Sequence, residues 1–439
     1  MKTIHFPKVN DWNQYTKRPE IDHESLFNQV NIIFDEIMRS GDAAVKKYVH
    51  FFDRVDLNIF GIKKEEIENA ENSVDESLRN AIKLAKRNIE TFHLAQKETK
   101  KIVETTAGVR CWRESRPIER VGLYVPGGSA PLFSSVLMLG VPASIAGCRE
   151  VVLCTPSQRN GHVHPAVLYA AKLANITKIF AVGGIQAIGA MTFGTESIPK
   201  VDKIFGPGNQ YVTAAKQVAQ NYDVAIDMPA GPSELLVIAD QYSNPEYVAA
   251  DLLSQAEHGK DSQVMLLSDD TDIIKRTIQA IDQQIKALPR KEIAEEALRN
   301  SKAIILKSID ECISFSNKYA PEHLILAIND PYSCIQEISN AGSVFLGQYS
   351  CESAGDYATG TNHTLPTNGY ARSYSGVSLD DFVKKITFQD LSIEGLRNIG
   401  QALETMAEAE ELFAHKNAVS IRLKDINNAA KSKNARQNQ

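Results

Sequence analysis

Four of the ten histidines in this chain sit beside carboxylates, amides or sharp turns: His258, His323, His363 and His415. The other six read as surface or structural residues. The densest setting is Gln255-Ala256-Glu257-His258-Gly259. Gln255 and His258 are three apart at the expected end of a helix, so both side chains share one face, and Gly259 then stops the helix. Imidazole is a good zinc ligand and an amide oxygen a weaker one, although a capping histidine beside a surface glutamine has the same spacing. Pro321-Glu322-His323-Leu324 sets a carboxylate and an imidazole just ahead of an apolar run. Both suit proton transfer, because free His titrates near ~6.5 and burial raises Glu. Adjacent side chains diverge in extended backbone, so the two are expected to do separate jobs. Asp356 lies in a polar loop over 353–363 framed by glycines, either a ligand-ordered loop or a turn capped by its aspartate. His415 is expected to close a late helix near Glu410 and Glu411, where a dipole-friendly cap is the plainer role.

Glycine clusters form a second group of candidates. Gly127-Gly128, Gly183-Gly184 and Gly206-Pro207-Gly208 can present backbone N–H groups to a phosphate at helix starts, but none completes GxGxxG, and no P-loop is present. The six cysteines contain no CxxC, and Cys154 falls inside an expected strand.

These residues need elements to hold them. With 439 residues the chain exceeds the usual size of a single core, so two or three domains are expected. The composition is that of an ordinary globular enzyme, 43% hydrophobic and 23% charged, which excludes disorder as the main state. A net charge of −6 argues against nucleic acid as a partner. No apolar run is long enough for a membrane span and no secretory leader is visible, so a cytoplasmic location is expected. Residues 1–22 read as an arm and 23–106 as helical, with a helix boundary at Ser40-Gly41-Asp42. From Arg120 short apolar runs alternate with helical stretches: strands at 121–125, 151–154, 178–182 and 203–205, then at 235–238, 264–267, 303–306, 324–328 and 344–346. That alternation signals parallel sheets covered by helices, here two α/β units in tandem. Asn244 and Pro245 cap and start the helix that runs to Glu257. Residues 380–385 and 393–413 read as helical, and the polar tail from Asn427 as frayed.

Taken together, these segments resemble the histidinol dehydrogenase family. The resemblance runs from Arg120 to Arg422 and rests on unusual strings in a fixed order: 121–128 (VGLYVPGG), 227–234 (DMPAGPSE), Gln255 to His258, 319–324 (YAPEHL), 355–367 (GDYATGTNHTLPT) and 414–419 (AHKNAV). It implies oxidation of L-histidinol through L-histidinal to L-histidine with two successive hydride transfers to NAD⁺. It implies one zinc per chain, held by Gln255, His258, Asp356 and His415. His323 is then the base toward the alcohol, and Glu322 activates the water that adds to the aldehyde. Ser233 and Glu410, with the zinc ligands and the acid–base pair, contact substrate, and Tyr124, Gln186 and Asn209 contact NAD⁺. The implied fold is α/β, two incomplete Rossmann-like units with helical appendages. Residues 23–123 and 234–378 form the zinc and acid–base domain, 124–233 the NAD side, and 379–439 a helical domain that crosses to the partner in a homodimer with shared sites. A zinc hydrolase and a binding protein without turnover are the competing classes; NADH formation on adding histidinol separates them.

Overall fold

The computed structural model describes residues 1–18, 23–57, 59–127 and 131–437. Residues 19–22 of the expected arm and Gly128 of the first shared string lie outside them. The chain divides into two compact units, Met1–Gln96 with Pro117–Phe382, and Lys97–Arg116 with Val383–Gln439.

The larger unit holds two parallel sheets. The first has the order Lys178–Phe180, Glu150–Cys154, Arg120–Tyr124, Lys203–Phe205, Ala225–Ile226. Its strands are near-continuous apolar runs because helices cover both faces. Phe133–Ala146 is apolar all round, and its side chains from Ser134 to Ala143 are buried. The second sheet has the order Lys2–His5, Lys302–Ile305, Gln263–Ser268, Glu234–Ala239, His323–Ala327, Ser343–Leu346. Helix Pro245–Ala256 starts as its sequence dictates, the Asn244 side chain accepting from the Glu246 N–H and Pro245 in the first turn.

Several expectations change. Residues 2–5 are not a loose arm but an edge strand, parallel to Lys302–Ile305. The helices of 23–96 lie against the first sheet, within the unit that also holds 234–378. His23–Tyr48 packs on Gly184–Phe193 and Gln210–Ala219, and Glu76–Leu94 on Phe133–Ala146, so these helices cover the first sheet and share its core. Arg120–Tyr124 is that sheet's central strand, because its Val121, Leu123 and Tyr124 are buried. The run His23–Tyr48 breaks at Gly41 (φ 49°, ψ −129°), where the sequence marks a boundary.

The smaller unit is not purely helical. It contains a three-stranded sheet ordered Val383–Leu391, Val109–Pro117, Val103–Thr106. Residues 103–106, expected to end a helical region, and 383–385 are therefore strand. Helix Ile393–Ala409 ends before Glu410, and a new helix, Phe413–Gln437, carries His415 in its first turn rather than at a helix close. That helix continues through the tail expected to fray.

Candidate active site

In the first sheet the candidate residues follow strand ends, as in other doubly wound sheets. Tyr124 ends one strand, and Gly206-Pro207-Gly208-Asn209 leads from Lys203–Phe205 into helix Gln210–Ala219. Gly206 has φ 130°, and a Cβ there would lie 2.0 Å from the Tyr124 carbonyl oxygen, so only glycine fits. Asp227 accepts from the Gly206 N–H at 2.8 Å and pairs with Lys216, which also donates to the Gly206 carbonyl at 2.8 Å. In the second sheet the candidates come from the opposite, N-terminal edge: Ser233 precedes Glu234–Ala239, Gln255 and His258 precede Gln263–Ser268, and Glu322 precedes His323–Ala327. The two edges meet across a cleft of about 290 Å³ lined by Ser135, Asn209, Ser233, Gln255, His258, Glu322, His323, Asp356 and His363, among others.

Glu322 and His323 are both buried at its floor. Glu322 Oε2 accepts the Glu234 N–H at 2.8 Å, and His323 Nδ1 donates to the Glu234 carbonyl at 3.3 Å. A carbonyl only accepts, so this contact places a proton on Nδ1 and leaves Nε2 as the basic nitrogen of the neutral ring. Glu322 Oε2 and His323 Nδ1 are 3.7 Å apart, near each other but each bonded elsewhere, in keeping with separate jobs. Burial pushes the Glu322 carboxyl up to about 8. Burial also opposes charge on His323, but Glu322, the hydrogen bond to Asp356 and Glu352 outweigh it and raise the imidazole to about 10.

Asp356 is not in a loop: it lies in the short helix Glu352–Tyr357, with Glu352 one turn earlier. Its Oδ1 is 3.6 Å from His323 Nε2. Burial pushes Asp356 up, yet the His323 contact and the nearby His363 and His258 hold it below the usual carboxylate range. His258, Glu352 and Asp356 each bring one ligand atom within 4.8 Å of the others. His258 keeps an open flank, while the cleft walls desolvate its ring and lower its pKa, favouring the neutral form that a metal ligand needs. With its amide nitrogen turned to Glu352, Gln255 donates to both carboxylate oxygens, and its Oε1 accepts from the Glu234 N–H at 3.3 Å. An imidazole and two carboxylates facing one space are a donor set that suits a metal such as zinc, with the Gln255 amide held beside them by Glu352. Glu352 was missed in the sequence; its i, i+4 spacing from Asp356 was the available signal. His363 also has a place, with Nδ1 donating to the Asp356 carbonyl at 2.9 Å and Nε2 3.1 Å from Ser135 Oγ.

Tyr124, Gln186 and Asn209 line a neighbouring cavity of about 360 Å³. The Tyr124 hydroxyl accepts the Gly184 N–H at 3.2 Å, and Asn209 Oδ1 caps helix Gln210–Ala219 through two N–H groups at 3.1 Å. Gln186 is fully buried and donates to Asp53 at 3.5 Å, while its Oε1 has no protein partner. A cavity lined by these polar side chains suits a polar ligand such as NAD⁺. Glu410 and His415 belong to the smaller unit and are exposed there.

Parallel sheets covered by helices, with a buried carboxyl beside a buried imidazole and a metal-competent group along one cleft, place the chain among α/β proteins with an enzyme-like cleft. The comparisons say which kind. The family model for histidinol dehydrogenase matches residues 16–423. The histidinol dehydrogenase of Bacteroides thetaiotaomicron is 56% identical over 97% of this chain and all of its own length, and that of Escherichia coli K12 is 50% identical over the same shares. The crystal structure of histidinol dehydrogenase from Elizabethkingia anophelis superposes with a TM-score of 0.95 at 59% identity, covering 97% of this chain and 99% of that one. The chain belongs to the histidinol dehydrogenase family and is an NAD-linked oxidoreductase.

Proposed function

We propose that the protein oxidises L-histidinol to L-histidinal and then to L-histidine, passing one hydride to NAD⁺ in each step. The observation that supports it most is the Glu322–His323 pair, held by the N–H and the carbonyl of one residue, Glu234, within a family whose relatives carry that name. His323 Nε2 faces the cleft, and in the neutral form, which is gained as pH rises toward about 10, it is the acceptor for the alcohol proton. Glu322, a base strengthened by burial, takes a proton from the water that adds to the aldehyde, and His323 serves again as the hydrated aldehyde is oxidised. Keeping the aldehyde in the cleft between the steps protects it from side reactions in solvent.

Zinc, one per chain on Gln255, His258, Asp356 and His415, would orient the substrate through its imidazole and amino nitrogens as a template. Glu352 would hold the Gln255 amide from behind. NAD⁺, contacted by Tyr124, Gln186 and Asn209, would supply the hydride acceptor. Ser233 and Glu410 would contact substrate. His415 and Glu410 would reach the site from a second copy, making a homodimer with shared sites, and the setting would be the cytoplasm. Among the described residues no helix is long and apolar enough to cross a membrane. The test is NADH formation from histidinol before and after chelation, with zinc added back. No NADH from the zinc-loaded protein would overturn the reading.

A further inference from the structure

Arg18 lies far in sequence from every residue assigned a role, yet it touches both chain segments that hold the acid–base pair. Its side chain is 12% exposed, and that of its partner Glu234 is 3% exposed. Nε and Nη2 address the two Glu234 carboxylate oxygens, Nη2 at 2.8 Å from Oε2. Such two-point contact fixes orientation as well as charge. Nη2 also donates to the carbonyls of Tyr319 at 2.9 Å and Ala320 at 3.3 Å. The guanidinium carbon sits 4.0 Å over the Tyr319 ring, whose hydroxyl donates to Gln263 at 2.8 Å. Ala320 has φ 56°, a left-handed conformation that costs a residue with a Cβ about 1–2 kcal/mol, so its place needs outside support. Pro321, Glu322 and His323 follow directly.

Glu234 is the second segment. Its own N–H is the donor to Glu322, and its own carbonyl the acceptor for His323 Nδ1–H. One side chain therefore anchors the residue that orients the pair and the strained turn that delivers it. We propose that Arg18 is a positioning residue for Glu322 and His323, acting through the Glu234 backbone and the Tyr319-Ala320 carbonyls. The inference rests on the acid–base roles given to that pair. Acid–base catalysis is sensitive to small displacements, so a slackened anchor slows the chemical step while leaving substrate contacts elsewhere intact. Lysine keeps the charge but not the fork, so it can restore only part of the hold.

The test compares Arg18→Met and Arg18→Lys with the unaltered enzyme, measuring zinc content, thermal unfolding, and kcat and KM for histidinol. The expected result for folded, zinc-loaded Arg18→Met is a kcat lowered about 10- to 100-fold with KM within about threefold, and a several-fold recovery of kcat in Arg18→Lys. A kcat within twofold of the unaltered enzyme in Arg18→Met overturns the proposal, as does a loss that merely tracks lower zinc content. If Arg18→Met does not fold, Arg18→Lys decides: a lowered kcat at unchanged KM supports the role, and an unaltered kcat removes it. Absence of NADH formation by the unaltered enzyme would instead overturn the functional reading itself.

Discussion

Glu322→Gln separates the two half-reactions. The exchange preserves size, and the amide oxygen can still accept the Glu234 N–H now bonded at 2.8 Å, so the fold should survive. What disappears is a base. Burial sets the Glu322 carboxyl at about 8, so about one tenth is ionised at pH 7 and about nine tenths at pH 9. The base form is gained as pH rises through that value, and aldehyde oxidation should therefore speed up about tenfold across the window. Loss of a general base costs about 10²- to 10⁴-fold, or roughly 3–5.5 kcal/mol of barrier. Single-turnover NADH formation from histidinal in Glu322→Gln should fall by that factor and lose the tenfold part of its rise with pH that Glu322 supplies, keeping the part due to His323. The same measurement from histidinol should change far less, because His323 remains. Equal impairment of both half-reactions, or a variant whose rise with pH is as steep as that of the unaltered enzyme, would refute the assignment.

Lys216→Met should leave the fully buried Asp227 carboxylate without its cation and lower unfolding stability by about 3–5 kcal/mol in urea titrations; a loss below about 1 kcal/mol would show the backbone donors suffice. His258→Asn should reduce both zinc content and turnover, and Gln255→Ala should reduce zinc retention less than loss of either histidine ligand, which equilibrium dialysis can rank. Coexpressed His258→Asn and His415→Asn chains should regain roughly a quarter of full activity if sites are shared, since about half the dimers are mixed and each then has one intact site; no recovery in purified, zinc-loaded mixed dimers would exclude sharing.

Much of the larger unit was legible because burial on both faces writes plain apolar runs. The expected strand 235–238 is observed as Glu234–Ala239, and the strand expected over 151–154 as Glu150–Cys154. The smaller unit was harder. Val383–Leu391 is half exposed, its side chains alternate only loosely, and a charged pair near its start reads as helix. Lys2–His5 buries a single side chain, Ile4, and earns its strand conformation from a partner 300 residues away. The apolar stripe of His23–Tyr48 likewise says that it covers a sheet, not which one. At the site, Glu322, His323 and Asp356 were visible as chemistry-bearing types in unusual strings. Glu352 hid because 353–363 was read as loop, where i, i+4 spacing has no meaning. Arg18 carried no local signal, since its importance depends on Glu234 and Tyr319, both more than 200 residues later.

The edge strand Lys2–His5 has a consequence for how the molecule is made. Every strand of the first sheet lies between Arg120 and Ile226, so that sheet can close while synthesis continues. The second cannot, because its strand Lys2–His5 leaves the ribosome about 300 residues ahead of its partner, which begins at Lys302. At about 5–20 residues per second, residues 2–5 wait roughly 15–60 s for that partner. Throughout that interval an unpaired edge and the Arg18 guanidinium travel ahead of Glu234 and Tyr319. The cleft floor around Glu322 and His323 is consequently among the last parts to assemble, and a bulky group attached before Lys2 would delay it further without touching either side chain.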